Sequence, residues 1–219
     1  MERKYAWHNY DDATMKKVYA LSDTYRQFLD NGKTERECVV QAVEFAEAKG
    51  YVNLNDIIKS NTSIKAGDKI YYTHMDKSIA LFNIGTDDIE LGMNILGAHI
   101  DSPRIDIKQN PQYEDSNLVF WDTHYYGGIK KYHWVAMPLA IHGVVVKTDG
   151  TRININIGDK ESDPVFCITD LLPHLGQEQM QKNAAKVIEG EALDLLIGSR
   201  PVKDEEKEFK VMSYDRAGL

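Results

Sequence analysis

The stretch that most constrains this chain is Asn94-Ile95-Leu96-Gly97-Ala98-His99-Ile100-Asp101-Ser102-Pro103-Arg104-Ile105-Asp106-Ile107-Lys108. Ile95 and Leu96 supply an apolar run, and Gly97 and Ala98 are small enough for another backbone or a ligand to come close. Pro103 has no N–H and would stop a strand from continuing its ladder. The expectation is a buried strand that ends in a site. His99 and Asp101 lie two apart and so share one side of a strand. A metal-bound imidazole usually gives its second ring N–H to a carboxylate or carbonyl, which fixes the tautomer and aims the ring. Asp101 could therefore orient His99 if the chain bends at the Ser102-Pro103 step. The same spacing also suits a histidine satisfied by a backbone carbonyl and an aspartate that caps the next turn, and H-x-D alone does not choose between them.

The chain before this stretch has the texture of scaffold. Ala13, Val18, Leu21, Tyr25, Phe28 and Leu29 recur at helical spacing between Asp11, a suitable cap, and about Asn31. Thr34-Glu35-Arg36-Glu37 has the capping-box pattern and opens a second helix carrying Val39, Val40, Val43, Phe45 and Ala46, stopped near Gly50. Residues 51–68 form a polar connection with a short helical turn at 54–58, and 69–74 and 79–84 are strand-like runs around a hairpin turn. His74, at the edge of that turn, has no partner nearby in sequence and is expected to be exposed. Helices followed by strands that lead to a strand-end site suit an α/β domain.

Beyond Lys108 the texture becomes β-rich. Strand-like runs recur at 118–121, 140–146 and 153–157, with Thr148-Asp149-Gly150-Thr151 as a tight turn between the last two. Ile153, Ile155 and Ile157 alternate with Asn154 and Asn156, giving one buried and one wet face. His124, His133 and His142 show no ligand grouping with one another and read as structural. Residues 169–175 suggest a short helix ended by Gly176, residues 191–198 a strand or short helix, and the charged run 203–208 a solvated helix start or linker.

Composition removes several functions. The chain has 219 residues, long enough for one large domain or two small ones. With 34 acidic against 26 basic residues its formal charge is −8, which argues against sequence-independent nucleic-acid binding. No apolar run is long enough to span a bilayer, and the start lacks the apolar core of a signal peptide, so no membrane association and a cytoplasmic location are expected. Cys38 and Cys167 form no C-x-x-C pattern and are expected to be reduced and partly buried.

Gly97-Ala98-His99-Ile100-Asp101-Ser102-Pro103-Arg104 resembles the first metal-ligand motif of the aspartyl aminopeptidases, zinc metallopeptidases that remove acidic residues from peptide N-termini. The resemblance extends through Tyr126-Gly127-Gly128 to Leu171-Leu172-Pro173-His174-Leu175 and so covers most of the chain. It implies that His99 is a metal ligand of a two-zinc site and that Asp101 supports it. It places the 126–128 loop beside the catalytic cleft and has His174 project into a neighbouring subunit's active site to help hold substrate. The implied fold is α/β: residues 1–108 are the N-terminal part of a three-layer metallopeptidase domain, 109–200 an inserted β-rich dimerisation domain, and 201–219 the start of the return. The implied partners are peptides with an acidic N-terminal residue and further copies of the chain, in a homo-oligomer built from dimers. An acidic substrate requires a local basic pocket in this acidic chain, for which Arg104, Lys108, Lys130 and Lys131 are candidates, unless they are ordinary solvated charges.

In that family further motifs carrying the remaining ligands lie downstream, and 209–219 contains Asp215 but none of those motifs. A catalytic zinc needs about three protein ligands and an open position, and His99 is one. The chain alone is therefore expected to be inactive. The competing readings are a non-enzymatic oligomerisation module and an incomplete gene product with an exposed half-core.

Overall fold

Asp11 and Thr34 fix where the first two helices begin. A computed structural model describes residues 5–202 and 210–211. Helix α1 spans Asp12–Asn31, and the Asp11 carboxylate accepts a hydrogen bond from the Thr14 N–H at 2.8 Å. Helix α2, Glu35–Ala48, opens on the expected capping box: the Glu37 N–H donates to Thr34 Oγ1 at 3.3 Å, and the Thr34 N–H donates to Glu37 Oε2 at 2.9 Å. Two otherwise orphaned donors are satisfied reciprocally. Thr34→Ala is expected to lower stability by about 1 kcal/mol, read as a lower urea midpoint with an unchanged slope.

The chain divides into two compact units, Met1–Ser102 and Pro103–Leu219. In the first, β1 (Val52–Asn53), α3 (Leu54–Lys59), β2 (Lys69–His74) and β3 (Ser78–Asn83) build a sheet of order β1-β2-β3. β1 runs parallel to β2, and β2 pairs antiparallel with β3 through a turn in which Met75 and Asp76 have φ of 51° and 56°. α2 covers this sheet. Cys38, Val39 and Ala46 are buried on the helix, Ile70 and Tyr71 on β2, and the Tyr71 hydroxyl donates to Glu47 Oε1 at 2.7 Å. Burial pushes the Cys38 thiol pKa up, with Glu37 and Glu35 adding to the effect. α1 buries no residue: Leu21, Tyr25 and Leu29 are exposed, as are Val40 and Phe45 of α2.

The expected buried strand before Pro103 is not formed. Residues 92–103 carry no regular structure and join none of the described sheets, and Ile95 and Leu96 are 80% and 101% exposed. An apolar strand is held by flanking strands that take its N–H and C=O groups, and no described strand flanks this one. Pro103 precedes a ladder instead of ending one, because β4 begins at Arg104. β4 runs Arg104–Asp115, so residue 108 lies inside a strand while the units divide at Ser102 and Pro103.

In the second unit β4 turns through Ser116-Asn117, both at positive φ, into β5 (Leu118–Tyr126). This suits a two-residue type I′ hairpin. β6 (Ile141–Val146) and β7 (Arg152–Ile157) form a separate hairpin, in which Ile153, Ile155 and Ile157 are half-buried and Asn154 and Asn156 exposed. β8 (Cys167–Ile168), α4 (Gln177–Gln181) and β9 (Leu195–Gly198) follow, and the main sheet has the order β4-β5-β9-β8. Its core is Phe166, Ile168, Ile188, Leu193 and Leu195, flanked by Trp121 and Trp134. Residues 173–175 make one turn, not the expected short helix, with Leu172 C=O accepting from the Leu175 and Gly176 N–H groups at 2.9 Å. Pro173 disfavours helical geometry at the residue before it, and Gly176 precedes α4 instead of closing a helix. The run 203–208 lies outside the described residues. Among those described, no helix is long and apolar enough to cross a membrane.

Candidate functional site

His99 and Asp101 sit on the irregular segment of the first unit and meet there. His99 Nδ1 is 3.0 Å from Asp101 Oδ1 and 3.1 Å from the Asp101 carbonyl oxygen. With Nδ1 protonated, the ring donates to both oxygens, which selects the tautomer that leaves Nε2 with an outward lone pair. The His99 side chain is 84% exposed and that of Asp101 38%, so the imidazole is oriented but uncovered. The bend anticipated at Ser102-Pro103 is not needed for this contact, since an irregular backbone already lets both side chains and a carbonyl converge.

This donor set fits one ligand of a metal site. A neutral imidazole with Nδ1 held by a carboxylate is the usual form of a zinc-binding histidine. Among the described residues there is no group of three or more His, Cys, Asp or Glu that could hold a metal ion, and the pair on its own falls short of the roughly three protein ligands that zinc catalysis uses.

In the second unit, three of the four candidate cations are engaged. Arg104 Nε donates to Asp106 Oδ1 at 2.7 Å, and its guanidinium lies 4.2 Å from the centre of the Tyr126 ring. Lys108 Nζ bridges Asp122 at 2.8 Å and Glu191 at 2.9 Å, and those hydrogen bonds, Asp122 first, raise its pKa. Lys131 Nζ donates to the Ala185 carbonyl at 3.3 Å. Lys130 is exposed and has no side-chain partner among the described residues. A basic pocket made of all four is therefore not what the fold presents.

The Tyr126 contact sits beside a close approach of backbone. Gly127 has φ of +78°, and a Cβ there would lie 3.5 Å from the Pro103 Cα. Gly127 thus lets the chain leave β5 beside the start of β4.

His174 is exposed on the 173–175 turn and lines an open depression of about 460 Å³ with Leu171, Leu175, Glu178 and Lys182. No hydrogen bond holds its ring among those described. Leu171, Leu172 and Leu175 are exposed around it. The other histidines have local neighbours: His124 stacks on Tyr125, His133 meets Tyr132 edge-on, and His142 Nε2 is 3.2 Å from Asp159 Oδ1. His74 is exposed.

Sequence reasoning missed a polar group on the second unit. The Tyr113 hydroxyl donates to Asp194 Oδ2 at 2.6 Å, and Asp194 Oδ1 is buried without a hydrogen-bond partner. Desolvation, followed by the Asp194 contact, raises the Tyr113 pKa. The partners are far apart in sequence and follow no motif spacing, so only the pairing of β4 and β5 with the 190–198 region brings them together.

Residues 28–215 match the family model for aminopeptidase I zinc metalloprotease, M18. A probable M18 family aminopeptidase 1 of Clostridium acetobutylicum is 53% identical over 210 residues, covering 96% of this chain and 45% of the relative. The chain thus spans less than half the length of such relatives. The crystal structure of an M18 aminopeptidase from Thermotoga maritima superposes with a TM-score of 0.85 at 43% identity, over 94% of this chain and 44% of that one. Aminopeptidase I from C. acetobutylicum gives 0.81 at 53% identity, over 94% of this chain and 45% of that one.

Proposed function

Because the chain belongs to the aminopeptidase I family of zinc metalloproteases, M18, we propose that it forms part of a zinc aminopeptidase that releases acidic residues from peptide N-termini. The observation that carries this reading is the His99–Asp101 pair, with Nδ1 held at 3.0 Å by the carboxylate and the side chain largely exposed, within the family's motif. His99 would hold zinc through Nε2, and Asp101 would keep the ring in the tautomer and direction that binding needs. Zinc, when bound, supplies Lewis acidity toward the scissile carbonyl. The other ligands, a second zinc and the proton-relaying glutamate belong to the part of the relatives that this chain does not match, and the chain alone is inactive. Of the four candidate cations, Lys130 is exposed and has no side-chain partner among the described residues, and it would meet an acidic side chain. The three-layer arrangement of the proteolytic domain, pairing of subunits through the β-rich unit into an oligomer of dimers, a role for His174 in holding a neighbouring subunit's substrate and a cytoplasmic location complete the proposal.

The test joins this chain to the unmatched portion of the C. acetobutylicum relative and compares release of Asp, Glu and Leu from short peptides by the zinc-loaded chimera and by the chain alone. The expected result is roughly tenfold or greater preference for acidic residues in the chimera and no hydrolysis by the chain. Leucine release at an equal rate would overturn the acidic specificity. Hydrolysis by the chain alone would show that its own residues complete a site. A folded, zinc-loaded chimera without hydrolysis would replace the enzyme reading with that of an assembly module.

A further inference from the structure

Asp101 presents two oxygens to one nitrogen, its carboxylate at 3.0 Å and its carbonyl at 3.1 Å from His99 Nδ1. Rotation of the backbone at Asp101 would turn the carbonyl away. Residues 92–103 join none of the described sheets, so no ladder among the described strands fixes this geometry. A short, stiff run of chain follows instead. Only Ser102 separates Asp101 from Pro103. The Pro103 ring fixes its own φ, and the residue before a proline is confined to extended backbone, so Ser102 keeps little freedom. Whatever holds Pro103 and Arg104 is therefore transmitted to the Asp101 backbone. Both are held from the end of β5. Arg104 pairs with Tyr126 in the β4–β5 ladder, and its guanidinium lies 4.2 Å from the centre of the Tyr126 ring. Asp106, on the same side of β4, fixes the guanidinium by accepting from Nε at 2.7 Å. Gly127, at φ of +78°, brings its backbone against Pro103: a Cβ there would lie 3.5 Å from Pro103 Cα and 3.6 Å from its Cβ and Cγ. Those distances leave room for a methyl group, so the demand for glycine comes from the positive φ.

We propose that Tyr126 and Gly127 are positioning residues for the His99–Asp101 pair. By holding Arg104 and Pro103 they limit rotation at Asp101 and Ser102. That keeps the carboxylate and the carbonyl of Asp101 together on Nδ1, and the ring in the tautomer whose Nε2 can bind a metal. The effect runs through the backbone, and neither residue is given a step in the reaction. The inference rests on the proposed ligand role of His99 only for its zinc readout, because the tautomer is read on the metal-free chain.

The test reads the His99 tautomer from the nitrogen NMR shifts of its ring in the full chain at about pH 8.5, where an ordinary imidazole is neutral. In the parent the Nδ1–H form is expected to exceed the Nε2–H form by about tenfold, the equivalent of one hydrogen bond to a charged group. Tyr126→Leu, which removes the ring face, and Gly127→Ala, which strains the positive φ, are each expected to lower that ratio by about fivefold. Tyr126→Phe keeps the face and should hold the parent ratio. In the zinc-loaded chimera, Tyr126→Leu and Gly127→Ala should weaken zinc binding by about tenfold and Tyr126→Phe should not. If Tyr126→Leu does not fold, Arg104→Met removes the same stack from its other side. An unchanged ratio in the folded Tyr126→Leu or Gly127→Ala chain, an equal loss in Tyr126→Phe and Tyr126→Leu, or near parity of the two forms in the parent would each overturn the proposal. A shifted ratio together with zinc affinity that His99→Ala leaves unchanged would keep the positioning role and overturn only the ligand role.

Discussion

In the zinc-loaded chimera, His99→Ala is expected to remove most of the zinc affinity of one metal position, and Asp101→Ala to lower it by about tenfold, the low end of the 10–100-fold typical of such partners. The difference follows from geometry. Two oxygens of Asp101 face His99 Nδ1, the carboxylate at 3.0 Å and the main-chain carbonyl at 3.1 Å. Alanine deletes the first and retains the second, so a tautomer-selecting acceptor survives while the charge that raises ligand basicity is lost. Asp101→Asn keeps an acceptor of similar shape without the charge and should resemble alanine. Because both side chains are substantially exposed, thermal midpoints of the zinc-free variants should stay close to that of the parent. Competition with a chromophoric chelator measures the affinities. Unchanged affinity in Asp101→Ala would mean that the carbonyl alone orients the ring, the plainer use of H-x-D spacing, and unchanged affinity in His99→Ala would remove the ligand role altogether.

How far the sequence can be read depends on where the stabilising partner of each element lies. The ends of α1 and α2 are legible because the Asp11 cap and the Thr34–Glu37 box act over a few residues. The β2–β3 and β6–β7 hairpins are legible for the same reason, their turns and alternation being local. β1 escapes notice because a two-residue strand carries no period, and its partner Ile70 lies across α3. The contact between His99 and Asp101 is short-range and forms even though the strand expected to present it does not. That strand fails because burial of Ile95 and Leu96 requires neighbours from elsewhere, so an apolar run states what a segment needs and not whether the chain supplies it. Likewise, the sequence offers four cations for a pocket, but Asp106 engages Arg104 from two residues away on β4, and Asp122 and Glu191 engage Lys108 through contacts from β5 and the 190–192 turn that are visible only once the second unit is folded.

Leu193→Ala is expected to destabilise the second unit by about 2–5 kcal/mol, while Leu96→Ala in the isolated chain should change stability by no more than about 0.5 kcal/mol. The two substitutions delete the same atoms. Leu193 is 0% exposed and packs with Phe166, Ile168, Ile188 and Leu195, so its removal forfeits transfer free energy and leaves a cavity. Its carbonyl accepts a hydrogen bond from the buried Thr123 hydroxyl, and alanine retains that bond, so the loss measures packing alone. Leu96 lies fully in solvent and has neither term to lose. Trp121 and Trp134 flank the cluster, which makes urea unfolding followed by tryptophan fluorescence a direct readout.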